Sequence, residues 1–196
     1  QKDRKNPDRF VGMHWAEPAH ATRFIELIRG ESTSDRTFEK ASNLAKLLGK
    51  EPSLAKKDIP GFIVNRIGYA MYREAAHMVD QGVADVETID RSCRNAFGLW
   101  AAMCGPFRWM DITGGPELYA KSIERVLPSL CSENDRLPEL LERLKQEGAG
   151  GQPTGSGFYE YNPDSLDWQE RYHEFAWRAK ALLDEFYPLG NQQETH

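Results

Sequence analysis

The sequence predicts a mostly α-helical protein in which a short strand–strand–helix piece precedes an all-α domain. Two runs rich in β-branched and aromatic residues, RFVGMHW and RFIELIRG, lie before residue 31. From Pro60 onward, apolar residues recur at spacings of three and four over long stretches. The pattern changes at KKDIPG, which divides the chain into residues 1–58 and 59–196.

RFVGMHW, bounded by Pro7 and Pro18, reads as a strand, and so does RFIELIRG, with Ile25 and Leu27 on one face and Phe24, Glu26 and Ile28 on the other. Ser34 or Asp35 caps a helix through RTFEKASNLAKLLG. Phe38, Ala41, Leu44, Ala45 and Leu48 share one face of it, and Gly49 stops it. EPSLAKKD is extended, a candidate third strand. The helix predicted over PGFIVNRIGYAMYREAAHMVDQG is apolar around most of its circumference, which places it at the centre of its domain. Asp85 caps a helix that ends at Gly98. Shorter helices come next around Phe107–Ile112, Glu117–Leu127 and Leu137–Gln146, then a glycine-rich break, GAGGQPTGSG, and an amphipathic helix from Ser165 to Tyr187.

Composition narrows the function classes. A net charge of -5 argues against nucleic acid as the main partner, because a phosphate backbone needs a concentrated basic face. No apolar run is long enough to span a bilayer, so no membrane partner is expected. Cys93, Cys104 and Cys131 are scattered without a CxxC pair and read as free, packed thiols of a reducing compartment, the cytoplasm, with no metal role.

Two residues pose a chemical question. Glu26 stands mid-strand among Phe24, Ile25, Leu27 and Ile28. A buried carboxylate there requires a partner, whereas an edge strand would let it face water. His14 ends the preceding strand, and antiparallel pairing through AEPAHAT would bring the two segments together. A carboxylate that orients an imidazole fixes its tautomer and suits it to general base work; a purely structural histidine is the alternative.

The stretch from Arg9 to Tyr161 resembles the NAD-dependent 3-hydroxyacyl-CoA dehydrogenases. The motifs that carry the likeness are RFVGMHWAEP, FIELI, TSDRT, LGKEP, DIPGFIVNR, EAAHMVDQGVADVETIDRS, GPFRWMDITG and TGSGFYEY, in the family's order and spacing. The resemblance implies that the first part is the end of a Rossmann-type NAD-binding domain. The second part is implied to be a helical domain like the C-terminal domain of 6-phosphogluconate dehydrogenase, and in the family it forms a homodimer. It further implies that His14 is the catalytic base, that Glu26 pairs with it and that Asn65 binds the substrate oxygen. The substrate implied is an acyl-CoA, as in fatty-acid oxidation.

Three positions depart from the family pattern. Glu17 replaces an asparagine near the cofactor, Pro153 replaces a lysine near it, and GLWAAMCGPF lacks a proline close to the acyl end of the site. Glu17 is thus a candidate cofactor-binding position, and the departures point to altered substrate preference. The family's G-x-G-x-x-G fingerprint is absent from these residues, so NAD is expected to be held mainly by a domain outside this chain, and the chain alone is expected to be inactive. Two rival readings stand beside the enzyme of thioesters: a dehydrogenase of a small non-thioester hydroxy acid, and a non-catalytic helical dimerisation module.

Overall fold

In the computed structural model, residues 3–132, 136–162 and 167–189 are described. The chain divides into two compact units, Gln1–Ile67 with Leu166–His196, and Gly68–Ser165. It is mostly helical, with one three-stranded sheet.

In the first unit, β1 (Gly12–His14) pairs antiparallel with β2 (Phe24–Ile28), and β2 pairs parallel with β3 (Glu51–Ala55), so β2 is central. The parallel pair is joined by α1 (Asp35–Leu47), the crossover such a connection requires. Of the two proposed caps, Ser34 is the one used: its side chain accepts from the Thr37 N–H, while Asp35 opens the helix and pairs with Arg29 at 2.7 Å. Gly49, at φ 71°, turns the chain out of α1 toward β3. Ile25 and Leu27 pack with Ala41 and Ala45 into a small core flanked by Val11, Met13 and Phe38. The predicted apolar face of α1 is buried along that stripe alone. Leu44 and Leu48 remain about half exposed, because two alanines let the helix sit close to the sheet and the leucines fall at the margin of the contact.

The C-terminal α8 (Trp168–Phe186) belongs to this first unit. The Asp167 carboxylate caps its first turn by accepting from the Gln169 and Glu170 N–H groups. Ser165, where the helix was expected to begin, lies outside the described residues.

The second unit holds most of α2 (Val64–Asp80), then α3 (Val86–Ser92), α4 (Gly98–Met103), α5 (Gly105–Ile112), α6 (Gly115–Val126) and α7 (Glu139–Gln146). Asp85 caps α3 as expected, accepting from the Thr88 N–H at 2.7 Å. Gly98 does not end that helix. It keeps helical angles, and the chain runs through a π-turn at Cys93–Phe97 into α4 before breaking at Cys104. Carboxylates of α2 anchor later segments of the unit: Glu74 accepts from the Cys131 N–H, and Asp80 accepts from the Leu140 N–H at the start of α7. The centrality expected of α2 is not met within one chain, since Ala76 is its one buried residue while Tyr69 and Tyr72 stay exposed. Of the three cysteines, all free, Cys131 is buried and Cys93 and Cys104 are half-buried.

Candidate active site

The β1–β2 register sets His14 directly opposite Glu26. Cross-strand partners lie within reach of one another's side chains, and here His14 Nδ1 stands 2.9 Å from Glu26 Oε2. With Nδ1–H donating to the carboxylate, Nε2 is left as the basic nitrogen of the neutral ring. The ring is held by Phe24, edge-on at 5.8 Å between centroids, and by Phe62 at 5.3 Å. About a quarter of the His14 side chain (24%) stays exposed, whereas Glu26 is fully buried at 0%. The edge-strand alternative for Glu26 is thereby excluded.

The buried carboxylate is satisfied mostly by backbone. Glu26 Oε1 accepts from the N–H groups of Ile63 and Val64, each at 3.0 Å. These are orphan donors at the entrance of α2, where the positive end of the helix dipole also favours an anion. The entry depends on two consecutive positive φ angles, 81° at Gly61 and 50° at Phe62. Glycine adopts that angle freely, but phenylalanine does not, so the strain at Phe62 is held by its surroundings, including the His14 ring. The PGF triplet is therefore a device that aims two amides at Glu26. Neither the amides nor the role of Phe62 is visible in residue pattern; the signal available was a glycine between a proline and a helix.

Asn65 follows Val64 in the first turn of α2 and is half-buried. It therefore lies next in sequence to the amides that hold Glu26. Glu17 sits in the β1–β2 connection, exposed, with a cis bond to the buried Pro18. The carboxylate that pairs with His14 is Glu26. Pro153 lies in an exposed 3-10 turn of the second unit.

Sequence reading also missed Lys50. It is buried at 7%, yet its ammonium meets carbonyls and not a carboxylate: Nζ donates to Ala19 O at 2.5 Å and to Thr22 O. Burial, and next the charge of Lys180, lowers its pKa from the usual lysine range. Lys50 thus ties down the loop between the two strands of the pair. Among the described residues, no three histidine, cysteine or acidic side chains gather as metal ligands. No helix there is long and apolar enough to cross a membrane.

Comparison with known proteins decides the family. The model of the 3-hydroxyacyl-CoA dehydrogenase NAD binding domain matches residues 1–59, and that of the C-terminal domain matches residues 61–161. The chain belongs to the 3-hydroxyacyl-CoA dehydrogenase family. It is 36% identical over 159 residues to 5-formyl-3-hydroxy-2-methylpyridine 4-carboxylate 5-dehydrogenase of Mesorhizobium japonicum, covering 81% of this chain and 50% of that protein. It is 35% identical over 156 residues to human mitochondrial hydroxyacyl-coenzyme A dehydrogenase, covering 79% and 48%. A crystal structure of a 5-formyl-3-hydroxy-2-methylpyridine 4-carboxylic acid 5-dehydrogenase, described as an NAD+ dependent dismutase, superposes with a TM-score of 0.81 at 32% identity, covering 92% of this chain and 57% of that one. The chain spans about half the length of the curated relatives it matches. The dehydrogenase family is NAD-dependent. Among the described residues no strand leads through a G-x-G-x-x-G turn into a helix. What the first unit does present is an oriented and partly exposed imidazole.

Proposed function

We propose that the full-length protein containing this chain is an NAD-dependent dehydrogenase that interconverts a 3-hydroxyacyl-CoA and its 3-oxoacyl-CoA. The observation that carries this reading is the His14–Glu26 contact at 2.9 Å, built on a carboxylate whose other oxygen is taken by two backbone amides. His14 Nε2 removes the proton of the substrate hydroxyl. Glu26 holds the ring in the tautomer that leaves Nε2 basic and stabilises the imidazolium that forms. Asn65 donates a hydrogen bond to the same substrate oxygen, which polarises the ketone in the reverse direction. NAD, when bound, supplies the hydride acceptor. Glu17, three residues after the base, contributes to the cofactor face.

Residues 1–58 are on this reading the end of the NAD-binding domain. Residues 59–196 form the substrate-binding and dimerisation domain, of the 6-phosphogluconate dehydrogenase C-terminal type. The homodimer is supported by apolar side chains left exposed in the second unit, among them Leu99 at 73% and Phe107 at 78%, and by an apolar cavity of about 500 Å³ lined by Tyr69, Tyr72, Val79, Ile89 and Leu140. The proposed setting is the cytoplasm, in fatty-acid oxidation.

A second reading, a small non-thioester substrate, is favoured by the pyridine carboxylate named for the relative with the higher of the two identities above. Oxidation of NADH by the full-length protein with acetoacetyl-CoA, compared with free acetoacetate, separates the two. The thioester reading expects a kcat/KM at least about a hundredfold higher for the CoA ester, since its remote contacts supply binding energy. Equal or inverted preference would transfer the protein to the small-acid class.

A further inference from the structure

The helix α8 lies beyond residue 161, where the family's C-terminal domain match ends, yet it is fastened to the loop that joins the two strands of the dyad. Arg23, one residue before β2, is buried at 6% and reaches the last turn of α8. Its Nη1 donates to Leu183 O and Tyr187 O, both at 2.8 Å, which are carbonyls at a helix C-terminus where a cation is favoured. Its Nη2 donates to Glu51 Oε2 at 2.7 Å, and Asp184 Oδ1 stands 3.5 Å from Nη1. At the other end of the loop, the Tyr172 hydroxyl donates to Glu17 O at 3.2 Å. Between them, the His20 ring rests against His173 and Trp177 at 5.5 and 5.7 Å. Positions 17, 20 and 23 are thus held in a loop that follows His14 and leads into the strand carrying Glu26. The face of α8 turned away from the loop carries ordinary exposed pairs such as Arg178 with Glu174.

We infer that α8 is a brace for the dyad loop, with Arg23 and Tyr172 as positioning residues that hold His14 and Glu26 in register for proton transfer. The inference rests on the dehydrogenase reading for its effect on turnover, but not for its effect on the loop. A side chain that acts through the loop has a different signature from one that merely stabilises: kcat falls at each folded site while KM stays, and the loop alone loosens. A displaced base loses rate steeply with distance.

The test uses the full-length protein with Tyr172→Phe and Arg23→Lys, and Arg178→Ala as the control on the outer face. Tyr172→Phe is expected to speed amide exchange at Ala21 and Thr22, whose N–H groups donate to Pro18 O, by about tenfold, leaving the melting midpoint within about 2 °C. With acetoacetyl-CoA and NADH it is expected to lower kcat about threefold to tenfold at unchanged KM. Arg23→Lys is expected to act in the same direction and more strongly, because an ammonium cannot reproduce the fork that reaches two carbonyls and a carboxylate. Arg178→Ala is expected to change neither readout. Unchanged exchange at Ala21 and Thr22 in both variants would overturn the brace, and so would loosened exchange with kcat intact in a wild type that turns over. A wild type that turns over no acetoacetyl-CoA counts against the thioester reading alone, and the exchange measurement then decides the brace by itself.

Discussion

At the scale of single residues, the candidate site is a problem of satisfying one buried carboxylate. Among the described residues, the donors to Glu26 are the imidazole of His14 and the amides of Ile63 and Val64. An ionised carboxylate accepts from all three without conflict, whereas an amide side chain must turn its NH2 either toward the ring or toward the helix entrance. Glu26→Gln is therefore expected to lower kcat about a hundredfold or more, by disturbing the tautomer of His14, and to destabilise the fold by about 2 kcal/mol. Steady-state kinetics and urea unfolding on the same preparation check both halves. Wild-type kcat in that variant would show that the carboxylate does not orient the base. The two side chains of this pair were legible through the family resemblance of RFVGMHWAEP and FIELI, since residue pattern alone left Glu26 open to an edge strand and His14 to a structural role. The amides were not, because they are aimed by a pair of φ angles at Gly61 and Phe62, and backbone angles at a phenylalanine leave no mark in residue pattern.

At the scale of elements, local signals were read where capping or alternation dictated the outcome and missed where tertiary contacts did. Ser34 and Asp85 announce α1 and α3 because their side-chain oxygens satisfy the first free N–H groups of each helix. Gly98 suggested a stop, but continuous hydrogen bonding through the π-turn carried the chain past it. The attachment of α8 to the strand unit runs in part through Arg23, whose partners at the end of α8 lie about 160 positions away, and no local pattern reports such a bond. A long-range tie in the second unit carries a pH prediction. Tyr159 donates its hydroxyl to Asp90 of α3 at 2.8 Å, and its pKa is pushed up from 10.0 to about 12, first by burial and then by the hydrogen bond and charge of Asp90. A raised pKa in the folded state means that the contribution is fully present below pH 10 and is lost as pH rises toward 12. Thermal melts between pH 9 and 12 should show this loss in the wild type and a shallower decline in Tyr159→Phe, the difference amounting to roughly one titrating group. Parallel curves for the two proteins would mean that the phenol does not tie this segment to α3.

At the scale of the whole molecule, the second unit has little to bury its apolar helices against. Ala76, Ile89, Cys131 and Leu140 are its buried apolar residues among those described, while Tyr69, Leu99, Phe107 and Leu118 are exposed by more than half. A surface of that kind is stable in water when a second copy covers it. Sedimentation equilibrium of the full-length protein is expected to give a dimer, and Phe107→Asp is expected to weaken it by placing a charge in an apolar contact. A wild-type monomer at micromolar concentration would contradict this. The expectation of a central α2 came from its apolar circumference, which was legible; its exposure in the second unit was not, because sequence periodicity reports an apolar face without saying what covers it. The family, its NAD dependence and the pairing of His14 with Glu26 meet in one measurement: turnover of acetoacetyl-CoA and NADH by the full-length His14→Ala protein. Loss of about a hundredfold to ten-thousandfold in kcat, with the melting midpoint and the dimer retained, is the predicted result. Wild-type turnover by that variant would contradict the assignment of His14 as the base.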